Sequence, residues 1–422
     1  MYSIDERGPC YGCSMTGVRR AVIHNPGAVI VFHSPMSCGQ VIREKDTNGL
    51  RIFKTGVTAA VPVVTSNIEN KDVIFGAHEK LQTCLEFVIE QHHPSYILIG
   101  NSCVSGIIGD DVDSVALSVS RAASTPIFTI PCSGFMNGGY EAGLKEAALR
   151  LVEAFVKQGD RKQNSVTLIG IVDKEKNFEF SFLEDVLSAW EIRINCIFPG
   201  YASVQEMQEI GQSKACILCS KYNMVHSPFE TIAQAVCNKA KIPLMDVLDP
   251  LGYSLSLRWI EKAGAFLGVD SLNIQRMIEK QKKEYVKVIN RYKKCFLQTK
   301  ACIFFNKKSA VQTSLGWFWE LLQLVGVEIT AISFSENYTE EDCKIVVARE
   351  SLEACKVISW KNLFSIDRDF AFIFCFGVNE SKKLDNMLGI PYVNPIFGSK
   401  GMEAFYREML KILRKGQHGM CV

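Results

Sequence analysis

With 422 residues and a formal charge of +2, the chain is too long for one ordinary core and suggests two or three domains of roughly 100–200 residues each. Its acids and bases are interspersed, without a lysine or arginine run, which argues against nucleic acid as a partner. No apolar run reaches the roughly 18–20 residues of a membrane span, and the opening Met1-Tyr2-Ser3-Ile4-Asp5-Glu6-Arg7 lacks the basic-then-apolar order of a signal peptide. A cytoplasmic protein with no membrane contact is expected.

Along the chain, short apolar runs alternate with helical patterns, the mark of parallel βαβ units. The runs Ala28 to Phe32, Val61 to Thr65, Tyr96 to Asn101 and Ile127 to Pro131 read as buried strands of a first domain, closed by a helix from Tyr140 to Lys157. The polar stretch Gln158 to Asn164 is the best linker. A second set follows at Val166 to Val172, Ile192 to Phe198, Ala215 to Cys219 and Pro243 to Val247, with a charged helix over Ser271 to Lys294. The third set is Lys300 to Phe305, Val327 to Phe334, Lys344 to Ala348 and Phe370 to Phe376, then Gly389 to Val393 and a closing helix over Gly401 to Arg414. The expected architecture is therefore α/β, with three Rossmann-like parallel-sheet domains (1–160, 161–295 and 296–422) around a central cleft. In open α/β sheets a ligand sits beyond the carboxyl ends of the strands.

The chain has 16 cysteines, and in a reducing compartment these favour metal or catalytic roles over disulfides. Most stand among aliphatic or aromatic neighbours and read as small core residues. Cys13, Cys38 and Cys103 differ. Each is bordered by glycine, serine or proline at what reads as a strand-to-loop transition, the way a protein presents soft thiolate ligands to a metal cluster. Cys10 makes a C-x-x-C with Cys13 and is a candidate substitute ligand.

These residues carry a resemblance. Gly12-Cys13 with Gly17, the segment Pro35 to Gln40, the segment Thr65 to Gly76 with Lys80-Leu81, Cys103 with Ile108-Gly109-Asp110-Asp111, and Gly134-Phe135 with Gly139-Tyr140 resemble, in order, the N-terminal domain of the nitrogenase component 1 superfamily. More weakly, Cys219-Ser220, Lys241-Ile242-Pro243, Pro250-Leu251-Gly252 and Leu388-Gly389-Ile390-Pro391 before Gly401 extend the likeness over nearly the whole chain.

The resemblance implies that Cys13, Cys38 and Cys103 lend thiolates to an iron–sulfur cluster, [4Fe–4S] or P-cluster-like [8Fe–7S], at the interface with a homologous component 1 subunit. It also implies an ATP-hydrolysing iron protein homodimer as electron donor. No Walker A motif occurs in this chain, which agrees with a separate nucleotide-hydrolysing partner. Cys219 falls where the family's catalytic subunit anchors a complex iron–sulfur cofactor in the cleft. The family's other cofactor ligand is a third-domain histidine, and this chain has no histidine between His226 and His418. Two function classes follow from the resemblance: the catalytic component of a nitrogenase-like reductase, or a scaffold on which a metallocofactor is assembled. A tetrapyrrole reductase subunit is a third member of the same set.

Overall fold

The computed structural model describes residues 13–39, 61–133, 138–160, 164–171, 178–219, 228–245, 249–306, 314–363, 369–376, 386–390 and 396–418. By internal packing the chain forms two compact units. The first comprises Met1–Val172, Ile192–Cys219 and His226–Met245, and the second Asp173–Glu191, Ser220–Val225 and Asp246–Val422. Each of the three segments expected from sequence carries one parallel sheet, and the first unit holds two of these sheets.

In the first sheet β1 (Ala28–His33) and β3 (Tyr96–Asn101) are central, flanked by β2 (Val63–Thr65) and β4 (Ile127–Pro131) in the order β2-β1-β3-β4, all parallel. The central strands are covered on both faces, which explains why they read as unbroken Val/Ile/Leu runs rather than as alternating patterns. On one face, helix His78–His92 supplies Leu81, Leu85 and Val88, and helix Val112–Ala123 supplies Val112, Ala116 and Val119, against Val29, Val31, Ile97 and Ile99. The spacing of those residues is that of an apolar helical stripe. Burying each large aliphatic side chain contributes about 1.5–3 kcal/mol.

Helix Ser14–Val22 packs closely along helix Tyr140–Phe155. The second sheet, in the order β6-β5-β7-β8, is built from β5 (Ser165–Ile169), β6 (Arg193–Phe198), β7 (Ala215–Leu218) and β8 (Leu244–Met245). Buried Asn25 ties parts of this unit together. It donates to the Tyr96 hydroxyl at 3.0 Å and accepts from the Ala202 N–H at 3.0 Å.

The second unit contains a five-stranded parallel sheet in the order β11-β10-β9-β12-β13: β9 (Thr299–Phe305), β10 (Val327–Phe334), β11 (Lys356–Ser359), β12 (Phe372–Phe376) and β13 (Met387–Ile390). Its core is aromatic, with Phe318 set edge-on to Phe374 and Phe376, and helices Ser271–Phe296 and Gly398–His418 bring in Phe296 and Tyr406.

One expected strand is a helix. Lys344 to Ala348 lies within helix Glu340–Glu350, which is nucleated by a reciprocal capping box: Thr339 accepts from the Asp342 N–H, and the Asp342 carboxylate accepts from the Thr339 N–H at 2.8 Å. The sheet takes Lys356–Ser359 as its edge strand instead. The expected 391–393 continuation of β13 lies outside the described residues.

Candidate metal centre

The three cysteines singled out by sequence stand in or beside the first turn of a helical segment. Cys103 opens helix Cys103–Ile108 directly after β3, with Ser102 as the N-cap accepting from the Ser105 N–H at 3.4 Å. Cys38 follows β1 in a helical turn begun by Pro35, whose carbonyl accepts from the Cys38 N–H at 3.2 Å. Cys13 is not at a strand end. It is the N-cap of helix Ser14–Val22, and it bridges to Gly139. Cys10 lies outside the described residues.

The chain brings the trio into one neighbourhood. The Cys38 thiol is held above the usual thiol range first by burial and then by the charges that Cys13 and Cys103 would carry, while a hydrogen bond from Ser37 works the other way. Cys13 is exposed, and Cys38 and Cys103 are half-buried. Among the described residues, no three His, Cys, Asp or Glu side chains stand close enough together to hold a single metal ion. As the trio stands it is not a mononuclear site.

A fourth thiol, missed in the sequence reading, lies beneath these loops. Cys132, just past β4, is fully buried, and its pKa is pushed up to about 12, chiefly by burial. Cys13 and Cys103 add to that shift, and the Ser14 hydroxyl and the Asn101 backbone oppose it. Its place two residues before the Gly134-Phe135 motif was the available signal.

Asp110 and Asp111, adjacent in the motif that follows Cys103, have different tasks. Asp111 caps helix Val112–Ala123 by accepting from the Ser114 N–H at 3.1 Å. Asp110 accepts from the Ala77 N–H through Oδ1 at 3.0 Å, and its Oδ2 lies 3.1 Å from Nε2 of the fully buried His33. His33 Nδ1 is 2.8 Å from Ser66 Oγ. A carboxylate only accepts, so Nε2–H donates to Asp110 and the Ser66 hydroxyl donates to Nδ1. Burial holds the His33 pKa below its ordinary value, against the opposing hydrogen bond and charge of Asp110 and the charge of Asp72. The ring is therefore neutral near pH 7.

Cys219 stands apart, at the end of β7 in the second sheet. It is buried, and its thiol is directed to the Ile217 carbonyl at 3.6 Å.

Near the trio the surface turns apolar. Val73, Ile74 and Phe75 on helix Asn70–Phe75 are 48%, 76% and 82% exposed, and Ile107, on the helix that Cys103 opens, is 71% exposed. The two helices pack together.

The model of the family described as nitrogenase component 1 type oxidoreductase matches residues 13–413. The chain belongs to that family. Among curated relatives, the nitrogenase molybdenum-iron protein alpha chain of Clostridium pasteurianum is 22% identical over 74% of this chain and 53% of its own length. The nitrogenase iron-molybdenum cofactor biosynthesis protein NifE of Methanococcus maripaludis is 22% identical over 69% of this chain and 58% of its own length. NifE of Methanosarcina barkeri is 31% identical over 32% of this chain and 28% of its own length. The chain thus spans little more than half the length of the first two relatives. The solved structure of nitrogenase Cp1 at pH 6.5 superposes with a TM-score of 0.68 at 15% identity, covering 97% of this chain and 90% of that chain. The expected family and α/β fold class are both borne out.

Proposed function

We propose that this component 1 type chain is a subunit of a nitrogenase-like reductase, in which Cys13, Cys38 and Cys103 hold an iron–sulfur cluster shared with a partner subunit. The observation that carries the reading is that Cys38 stands near enough to Cys13 and Cys103, on two other connections, for their charges to raise its pKa beyond the effect of burial. The donor set fits such a group: the ligands are soft, and they are exposed or half-buried on one chain. Three thiolates fall short of the four of an ordinary cubane, which leaves an open side for a second chain, a homologous component 1 subunit, to complete.

When bound, a cluster of this kind accepts and passes single electrons. The chain's own residues prepare the place for it. Cys13 stands at the N-cap of helix Ser14–Val22, Ser37 hydrogen-bonds to Cys38, and the buried Cys132 backs the loops without reaching solvent. The exposed face of Val73, Ile74, Phe75 and Ile107 is an apolar surface of the kind that marks protein contacts. Since Cys103 and Ile107 share one short helix, a donor seated there stands about 6 Å along the helix axis from the Cys103 position. An ATP-hydrolysing iron protein is the donor this reading assigns to that surface.

A second reading, a scaffold for cofactor assembly, is favoured by the NifE relatives and by the lack of histidine between His226 and His418. A second cofactor on Cys219 is a separate part of the proposal and requires the thiol to turn away from Ile217. Metal loss beyond the interface cluster in Cys219→Ala supports it, and unchanged total metal contradicts it.

The two readings separate on purification without oxygen, followed by iron and heterometal analysis and a reduction assay with an iron protein and ATP. Cluster-dependent electron uptake with turnover supports the reductase. A metal cargo that leaves for an acceptor protein without turnover supports the scaffold.

A further inference from the structure

Three connections around the cysteines meet on one buried imidazole. His33 ends β1 shortly before Cys38, Ser66 follows β2, and Asp110 follows the helix that Cys103 opens. In sequence these partners are 33 and 77 residues from His33. The main chain repeats the tie: the Ser102 N–H donates to the His33 carbonyl at 3.2 Å, and the Ser66 N–H donates to the Phe32 carbonyl at 3.0 Å.

Helix capping and strand pairing do not account for the two contacts of the imidazole. Asp111, not Asp110, caps the following helix, and the Ser66 hydroxyl lies beside strand ends that are already paired. The Asp110 carboxylate is also bonded to the Ala77 N–H, next to Gly76, whose φ of 89° lies in the region that favours glycine and turns the chain between the Phe75-bearing helix and the next. One carboxylate thus holds the apolar surface, the Cys103 helix and the strand leading to Cys38.

We propose that His33 is the positioning residue of the three-thiol site: its neutral ring, clamped between Ser66 and Asp110, fixes the Cys38 turn against the helix that begins at Cys103. The inference rests on the reading of those thiols as cluster ligands. An apolar ring at position 33 would leave Asp110 Oδ2 and the Ser66 hydroxyl without the imidazole as partner, and both loops would shift to find water. A glutamine restores both bonds, because its amide N–H donates to Asp110 and its carbonyl accepts from Ser66.

The experiment compares wild type, His33→Phe and His33→Gln in the full chain, purified without oxygen together with its native partner chains. Iron per chain, the EPR spectrum of the reduced cluster and the thermal unfolding midpoint are measured. The expected result is that His33→Phe retains about a tenth of the iron, or shows altered g-values in what remains, and that His33→Gln restores both. A purely structural role would lower the unfolding midpoint and leave both iron content and spectrum as in wild type, and that outcome overturns the proposal, as does wild-type iron with a wild-type spectrum at an unchanged midpoint in His33→Phe. If His33→Phe fails to fold, Ser66→Ala decides, because it removes only the donor to Nδ1: an altered spectrum supports the proposal and an unaltered one overturns it. If wild type itself carries no iron–sulfur cluster, the functional reading fails and this inference falls with it. A loaded wild type with an indifferent His33→Phe overturns the inference alone.

Discussion

Gly17 and Gly143 meet where two helices of the first unit run against each other. A Cβ on Gly17 would lie 1.9 Å from the Tyr140 carbonyl oxygen, and a Cβ on Gly143 would lie 1.9 Å from the Ser14 carbonyl oxygen. Both neighbours are backbone, so neither can yield by turning a side chain. The contact fixes the helix that starts beside Cys13 against the one that starts at Tyr140, and through the Cys13–Gly139 bridge it sets where that thiol stands.

Gly143→Ala is therefore expected to destabilise the chain by about 1–3 kcal/mol or more, as overpacking against a rigid neighbour does. Chemical denaturation followed by circular dichroism checks this. An unchanged midpoint would mean that the helices separate at no cost and that the contact does not position Cys13.

The apolar face should be separable from the metal site. Phe75→Asp, at a position 82% exposed, is expected to leave iron content and unfolding midpoint as in wild type. Donor-dependent electron uptake should fall by about ten-fold, in line with the loss of a central aromatic contact. Stopped-flow reduction with an iron protein and ATP measures it. Equal rates would remove this surface from the account.

Acid stability carries the signature of His33. Its folded pKa lies below its unfolded value, so in the acid range the unfolded chain binds the additional proton, and stability falls as pH drops through the unfolded value of about 6.5. Above that pH the term is absent. In His33→Gln this part of the acid dependence should vanish while stability near pH 8 is kept. Urea midpoints measured between pH 5 and 8 test it, and parallel profiles for the two proteins would contradict it.

How far the sequence carried depended on whether a feature is local. The apolar runs of β1, β3, β5 and β12 are legible because strands covered on both faces need aliphatic or aromatic residues throughout. The same rule misled at Ile345-Val346-Val347-Ala348, an apolar run that a capping box at Thr339 and Asp342 commits to a helix. The true edge strand, Lys356–Ser359, is mostly exposed and leaves no apolar run to read. At the candidate site, Cys13, Cys38 and Cys103 announce themselves by their glycine, serine and proline neighbours. Cys132 resembles any core thiol, and the bond between His33 and Asp110 joins residues 77 apart by tertiary packing alone.

The central claim is that Cys13, Cys38 and Cys103 together hold one iron–sulfur cluster. Its most direct test is Mössbauer and EPR spectroscopy of the anaerobically purified full chain with its partner subunit, set against the single variants Cys13→Ala, Cys38→Ala and Cys103→Ala. The account predicts a thiolate-ligated iron–sulfur signal in wild type, and loss or change of that same signal in each of the three variants while the folded structure by circular dichroism is retained. A wild-type signal that persists unchanged in any one of them would contradict it.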